Sequence, residues 1–234
     1  MSRTGAVGRV RGSTRRERIL SAAAALIAER GYHAVSMADI GTAAGIVGPG
    51  VYRHFDSKAA LLAVLFERVV DSLLGRAAAI VSQARDEREA LSWLVADHVA
   101  LVINDRELAM VYYREVHNLP EEQRRRLRRQ QRLYLEEWVH VVIELRPELD
   151  EAEVRAIVHG AIGAIQSVLH YRDSGLPAEW VTARLMAMGH AVLGVAPSDR
   201  RPKPPAPNCP TGRQGSREAA ARLSSNGGGH GQRE

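Results

Sequence analysis

Residues 36–55, SMADIGTAAGIVGPGVYRHF, constrain the fold of this chain more than any other stretch. Ser36 supplies the hydroxyl that helix starts favour, because it can accept from the exposed backbone N–H groups of a first turn. Met37, Ile40 and Ala44 then recur at i, i+3 and i+7, one apolar face of a short helix. Gly45 can take the left-handed conformation that closes a helix and turns the chain. Gly48-Pro49 opens a second helix, since proline at the first helical position forfeits no hydrogen bond. Gly50 follows, and Val51, Tyr52 and Phe55 give this helix its own buried side. Two short helices joined by a tight glycine turn make a helix-turn-helix, whose second member is sized for the DNA major groove.

The rest of the chain keeps a helical period. A first helix is predicted over 14–30, stopped by Gly31, and another from an Asp56 or Ser57 cap through Leu61, Leu62, Leu65 and Val69 towards Ala84. Further helices are predicted over 89–104, 107–117, 121–146, 150–172 and 178–195, with breaks at Asn118-Leu119-Pro120, Pro147 and Ser174-Gly175-Leu176-Pro177. No segment alternates like a strand. The expected fold is all-α: a three-helix head at 14–70 joined to a helical body at 71–196. Residues 1–13 are expected to form a flexible basic arm. From 197 the chain is rich in Pro, Gly, Ser and Arg, cannot bury enough apolar surface to offset ordering entropy, and is expected to be disordered.

Charge follows the same division. The net charge is +5, yet residues 1–18 hold six Arg against one Glu, and residues 199–234 hold six Arg and one Lys against three acids. The basicity lies in the ends, and the middle is mildly acidic. Hydrophobic residues are 45% of the chain with only two Phe and three Trp, so the core should be mainly aliphatic. Cys209 is the single cysteine, which excludes an intrachain disulfide and a cysteine-rich metal site. No apolar run approaches the ~20 residues that span a bilayer, and the N-terminus lacks the apolar core of a secretion signal. A cytoplasmic protein without a membrane partner is expected.

Ile19-Leu20…Ala22-Ala23…Leu26…Glu29-Arg30-Gly31-Tyr32, Ser36…Ile40…Ala44-Gly45-Ile46, Tyr52-Arg53-His54-Phe55 and Ser57-Lys58…Leu61-Leu62 together resemble the DNA-binding head of TetR-family regulators. The G-P-x-x-Y-R-H-F variant is similar to that of actinobacterial members. Val47 departs from the usual polar cap, and Pro49-Gly50 from a common Gly-Thr or Gly-Ala pair, which removes a hydroxyl that contacts phosphate. Tyr113-Arg114-Glu115…His117-Asn118-Leu119-Pro120 resembles the regulatory domain of members tied to lipid and acyl-CoA metabolism. The resemblance implies a transcriptional regulator, commonly a repressor, on a palindromic double-stranded operator. It also implies a homodimer through the last two long helices, 150–172 and 178–195, released from DNA by a small apolar or acyl-CoA-type effector.

The candidate DNA contacts are Arg15, Arg16, Ser36, Gly48, Pro49, Gly50, Tyr52, Arg53, His54 and Lys58. A guanidinium at Arg53 can address guanine O6 and N7, or clamp a phosphate. Tyr52 and His54 suit mixed packing and backbone contact. Lys58, at a helix start, suits phosphate. Arg9 and Arg11 read equally as contacts or as a solubilising tail.

In the body, Tyr112, Tyr113, His117, Trp138 and Gln166 sit within otherwise apolar helices and are the candidate ligand lining; ordinary core packing is the competing reading. The run Arg124–Arg132 reads as a solvated face, or as an anchor for acyl-CoA phosphates through Arg125, Arg128 and Arg132. His140 and Glu144 are four apart but lack a third ligand, so no metal or cofactor is expected. The alternatives are a helical small-molecule carrier or enzyme, for which no nucleophile motif or Gly-rich phosphate loop is present, and a non-specific DNA binder. The latter relies on dense positive charge, whereas 19–65 balances three basic against three acidic residues.

Overall fold

The computed structural model describes residues 4–46, 48–170 and 175–199, with side chains from Arg15 onward. Its helices are α1 (Thr4–Arg30), α2 (Met37–Ala43), α3 (Lys58–Gln83), α4 (Glu87–Asn104), α5 (Arg106–Glu115), α6 (Glu121–Leu145), α7 (Glu151–Gln166) and α8 (Ala178–Leu193). No strand occurs among the described residues. The expectations for Val47, for 171–172 and for the tail from 200 lie outside the described residues, as do the side chains of Arg9 and Arg11.

The helix ends follow from local chemistry. Ser36 and Asp39 form a reciprocal capping box on α2, the Ser36 hydroxyl accepting from Asp39 N at 3.1 Å and the Asp39 carboxylate from Ser36 N at 2.8 Å. Gly45, at φ 66°, turns the chain after α2. Ser57 caps α3 through Ala60 N at 3.0 Å, Asp86 caps α4, and Asp150 forms a second capping box on α7 with Glu153.

Three elements differ from the sequence expectation. α1 begins at Thr4 rather than 14; no proline precedes Arg16 to forbid the longer helix. The second helix of the helix-turn-helix is instead a 3₁₀ turn, Gly48–Gly50, continued by hydrogen-bonded turns in which Val51 O accepts from His54 N at 2.9 Å and Phe55 N at 3.1 Å. Two glycines and a proline in three residues weaken α-helix there. α7 ends at Gln166 and tightens into a 3₁₀ turn, Ser167–His170, where the Ser167 hydroxyl bonds back to Ala164 O at 2.7 Å.

The head closes over Ile19, Leu20, Ile27, Ile40, Val51, Phe55, Leu61, Leu62 and Phe66, all buried. A Cβ at Gly50 would lie 2.7 Å from Ile46 Cγ2, so a larger residue here would have to displace the Ile46 side chain. α3 runs on into the body, burying Leu73, Ala77 and Ile80 against its core. Arg68 on α3 binds Glu17 on α1 through both carboxylate oxygens at 2.6–2.7 Å, tying the first helix to this shaft.

Candidate functional site

On the helix-turn-helix, period and packing separate anchors from presented groups. Val51 and Phe55 are buried, whereas Tyr52 is 56% exposed and Arg53 is exposed beside it. His54 is half-buried. The Arg16 guanidinium stands over the Phe55 ring, 5.0 Å from its centre, and Arg15 is exposed on the adjoining part of α1. An open groove of about 530 Å³ separates α2 from the 3₁₀ turn, lined by Ala38, Thr42, Gly45, Ile46, Pro49 and Tyr52 among others. Ala38 and Thr42, both exposed, were missed from sequence; their i, i+4 spacing opposite the apolar face of α2 was the available signal.

Two candidates have partners inside the protein. The Ser36 hydroxyl also donates to the Asp39 carboxylate at 2.6 Å, and these bonds hold the Asp39 carboxyl below its usual range. Lys58 is engaged more fully. Its ammonium donates to Tyr32 O and Val35 O, both at 2.6 Å, and lies 4.2 Å from the centre of the Tyr32 ring. It clamps the α1–α2 loop, because the start of α3 packs under that loop.

In the body, the five candidate lining residues divide by burial. Trp138 and Tyr112 are buried and Gln166 is half-buried, but Tyr113 is 42% exposed and His117 is exposed. Tyr113 lies one residue round α5 from the buried Tyr112, and His117 falls in the turn beyond the helix end. The core joins Trp138 and Gln166 to two further residues, His98 of α4 and Tyr134 of α6. His98 Nδ1 lies 3.0 Å from Tyr134 Oη, and His98 Nε2 lies 3.1 Å from Gln166 Nε2. Trp138 stands edge-on to His98, with ring centres 6.1 Å apart. Burial, reinforced by Arg76, lowers the His98 pKa to about 4, so the ring is neutral. Arg76 of α3 is paired with Asp97 at 2.7 Å, and burial raises the Asp97 pKa against that cation. His98 extends the apolar spacing Leu91, Leu94, Val95, Val102 of α4, which was the signal for its burial.

The exposed arginines of α6 are partly engaged. Arg124, Arg125 and Arg128 all bind Glu121, at 2.5–2.9 Å, and Arg126 lies 3.5 Å from Glu67. Such exposed pairs contribute little stability.

A capped helix-turn-helix with an outward Tyr-Arg pair, on an all-α body, defines a DNA-binding regulator. Residues 19–65 match the model described as bacterial regulatory proteins, tetR family, and residues 84–190 match the tetracyclin repressor-like C-terminal domain. The chain belongs to the TetR family of transcriptional regulators. It is 36% identical over 107 residues to the HTH-type transcriptional repressor KstR2 of Rhodococcus jostii, a match covering 46% of this chain and about half, 52%, of that relative's length. The structure of the ketosteroid transcriptional regulator KstR2 of Mycobacterium tuberculosis superposes with a TM-score of 0.65 at 27% identity, over 77% of this chain and 93% of that one. The fold is also that of Bacillus subtilis FadR in complex with stearoyl-CoA, at a TM-score of 0.58 and 23% identity, covering 76% and 95% of the two chains. No described helix is long and apolar enough to cross a membrane.

Proposed function

We propose that this chain is a repressor that binds a near-palindromic operator as a homodimer and is released by an apolar effector held in its body. The observation that carries the DNA half is the pairing of buried Val51 and Phe55 with exposed Tyr52 and Arg53 on one turn. This mounts the phenol and the guanidinium rigidly on the head core. Arg53 is assigned to base edges, Arg15 and Arg16 to phosphates, and Tyr52, His54 and the backbone of Gly48, Pro49 and Gly50 to close approach.

The dimer is assigned to α7 and α8. Ala152, Ala156, His159, Gly160 and Gly163 form an exposed stripe on α7, beside Trp180, Ala183, Ala187, Met188, Ala191 and Val192 on α8. Small residues next to large exposed apolar ones on paired helices suit a four-helix seam with a second copy. The effector reading rests on the polar cluster within the aliphatic body and on the kinship to a ketosteroid regulator.

The test is binding to duplexes selected from a random pool by the full-length protein, measured against random DNA at two salt concentrations. A specific site with a specificity ratio of ~10³ or more supports a regulator; equal, steeply salt-dependent binding to all duplexes refutes it.

A further inference from the structure

α1 ends in a way that leaves one donor for the body. Gly31, at φ 82°, closes the helix with a single bond from its N–H to Ile27 O at 2.8 Å, the ending in which the next N–H does not return to the helix. That donor, Tyr32 N–H, goes to Glu115 Oε1 at 3.4 Å and to no backbone oxygen among the described residues. Glu115 is a buried carboxylate at the end of α5, and its oxygens are divided between body and head. Oε2 accepts from Asn118 Nδ2 at 2.8 Å, and Oε1 faces Tyr32. The Arg114 guanidinium, 3.7 Å from Oε1, is outside hydrogen-bond reach. A dry carboxylate is costly unless bonded, and an apolar residue of similar size would close this seam without that cost. What the carboxylate adds is direction. Apolar packing of α1 on α5 holds the helices together without fixing their register, whereas a bond to an N–H fixes it.

α3 is the other link between head and body. The body grips it at Glu67, 3.5 Å from Arg126, and at Asp71, bound by Gln130. The stretch 58–67 that joins these supports to the head is about 14 Å of helix. Supports along one helix axis leave rotation about that axis free. Tyr32 stands to the side of the axis, one lysine side chain from the start of α3, so a bond at Tyr32 stops the rotation. In a dimer joined through its bodies, the same rotation would carry the two reading turns towards or away from one another. A shift of one base pair moves a half-site by about 3.4 Å and turns it by about 35°. A head free to rotate can follow such a shift, and a locked head cannot.

We propose that Glu115 is the positioning residue that fixes the half-site spacing this regulator accepts, by locking the rotation of the head at Tyr32 N–H. The inference rests on the dimeric DNA half of the proposed function and is independent of the effector half.

The experiment uses the full-length protein and duplexes in which the selected half-sites are separated by the selected spacer, or by one base pair more or fewer. A duplex with a single half-site is the control. For wild type, a change of one base pair in the spacer should cost about tenfold or more, as much as a mismatched pair. Glu115→Met keeps the length of the side chain and removes both acceptor oxygens. It should bind the single half-site as wild type does, and the selected spacing about 3–10-fold more weakly, because the freed rotation is given up on binding. Its loss on changing the spacer should be less than about threefold, well under the cost of a mismatched pair. Glu115→Gln retains one acceptor oxygen and should lie between the two; it decides the matter if Glu115→Met proves unfolded on melting. A wild-type spacing profile in the folded variants would overturn the inference while leaving a dimeric regulator intact. A loss of equal size on the single half-site would also overturn it, placing Glu115 in the shape of the head rather than in its spacing. Wild type indifferent to the spacer would overturn the dimeric reading and the inference with it.

Discussion

Lys58 and Tyr32 are joined twice: the ammonium donates to the Tyr32 carbonyl at 2.6 Å and stands 4.2 Å from the centre of the Tyr32 ring. The same residue reaches the body, because Tyr32 N–H points to Glu115 Oε1 at 3.4 Å, and Glu115 is fixed by Asn118 at 2.8 Å. Glu115 ends α5, Lys58 starts α3, and Val35 O, the second acceptor of Lys58, precedes the cap of α2. One loop therefore links the body to both ends of the helix-turn-helix.

Lys58→Met keeps the aliphatic stem and removes the donor to both carbonyls. Bonds to a charged donor contribute about 1.5–3 kcal/mol, so thermal unfolding should show a loss of roughly that size. If the ammonium is spent on these two carbonyls, the salt dependence of DNA binding should keep its slope. An unchanged melting temperature with a slope shallower by about one would return Lys58 to the DNA backbone.

Arg53→Ala removes an exposed guanidinium with no fold contact to lose, so stability should stay within ~0.5 kcal/mol of the parent. Affinity for the selected duplex should fall by about 1–3 kcal/mol, with preference relaxed at a single base pair per half-site. Competition against every single-base variant of that duplex checks this. A uniform loss across all variants would identify a phosphate clamp instead.

The capped starts of α2 and α3 and the apolar faces of the head were legible because they depend on near neighbours: Ser36 with Asp39, Ser57 with Ala60. The loop contacts of Lys58 were not legible because its acceptors are 23 and 26 residues away, a relation that no local spacing encodes. The second helix of the motif was misread because the Pro49 signal was weighed without the two flanking glycines. His98 and Tyr134 are 36 residues apart, and only the packing of α4 on α6 brings them together. His117 is exposed because α5 ends at Glu115, whereas Tyr113, partly exposed along its ring, packs on Tyr112 with its hydroxyl pKa raised by burial.

Stability should fall with acid through His98. Its folded pKa of about 4 lies below the ordinary 6.5, so the unfolded chain binds the extra proton between those values and stability rises with pH across that window. The full shift corresponds to roughly 3 kcal/mol. Asp97, with a raised pKa, acts in the opposite sense nearer the usual carboxylate range, favouring the folded state as it protonates. Melting curves of wild type and His98→Gln from pH 7 to pH 4 isolate the histidine. The difference between the two proteins should shrink as pH falls, and a constant difference would mean that His98 is not titrating as a buried neutral ring.

The seam between copies can be tested without damaging the protomer, provided the substitutions avoid its core. Ile165 and Leu185 are buried within the protomer at 0% and 4% exposure, so a charge there would unfold the chain before it reported on association. Met188, 41% exposed, and Gly163, where an added Cβ meets nothing within 4 Å, are free of that objection. Met188→Glu and Gly163→Leu should leave helical content intact, and the first places like charges across a two-fold seam. The second holds apart backbones that small residues let approach. Both should convert a dimer to monomer in sedimentation at micromolar concentration, and both should weaken binding to a two-half-site duplex far more than to a single half-site. A wild-type monomer under those conditions, or variants that remain dimeric, would place the interface elsewhere.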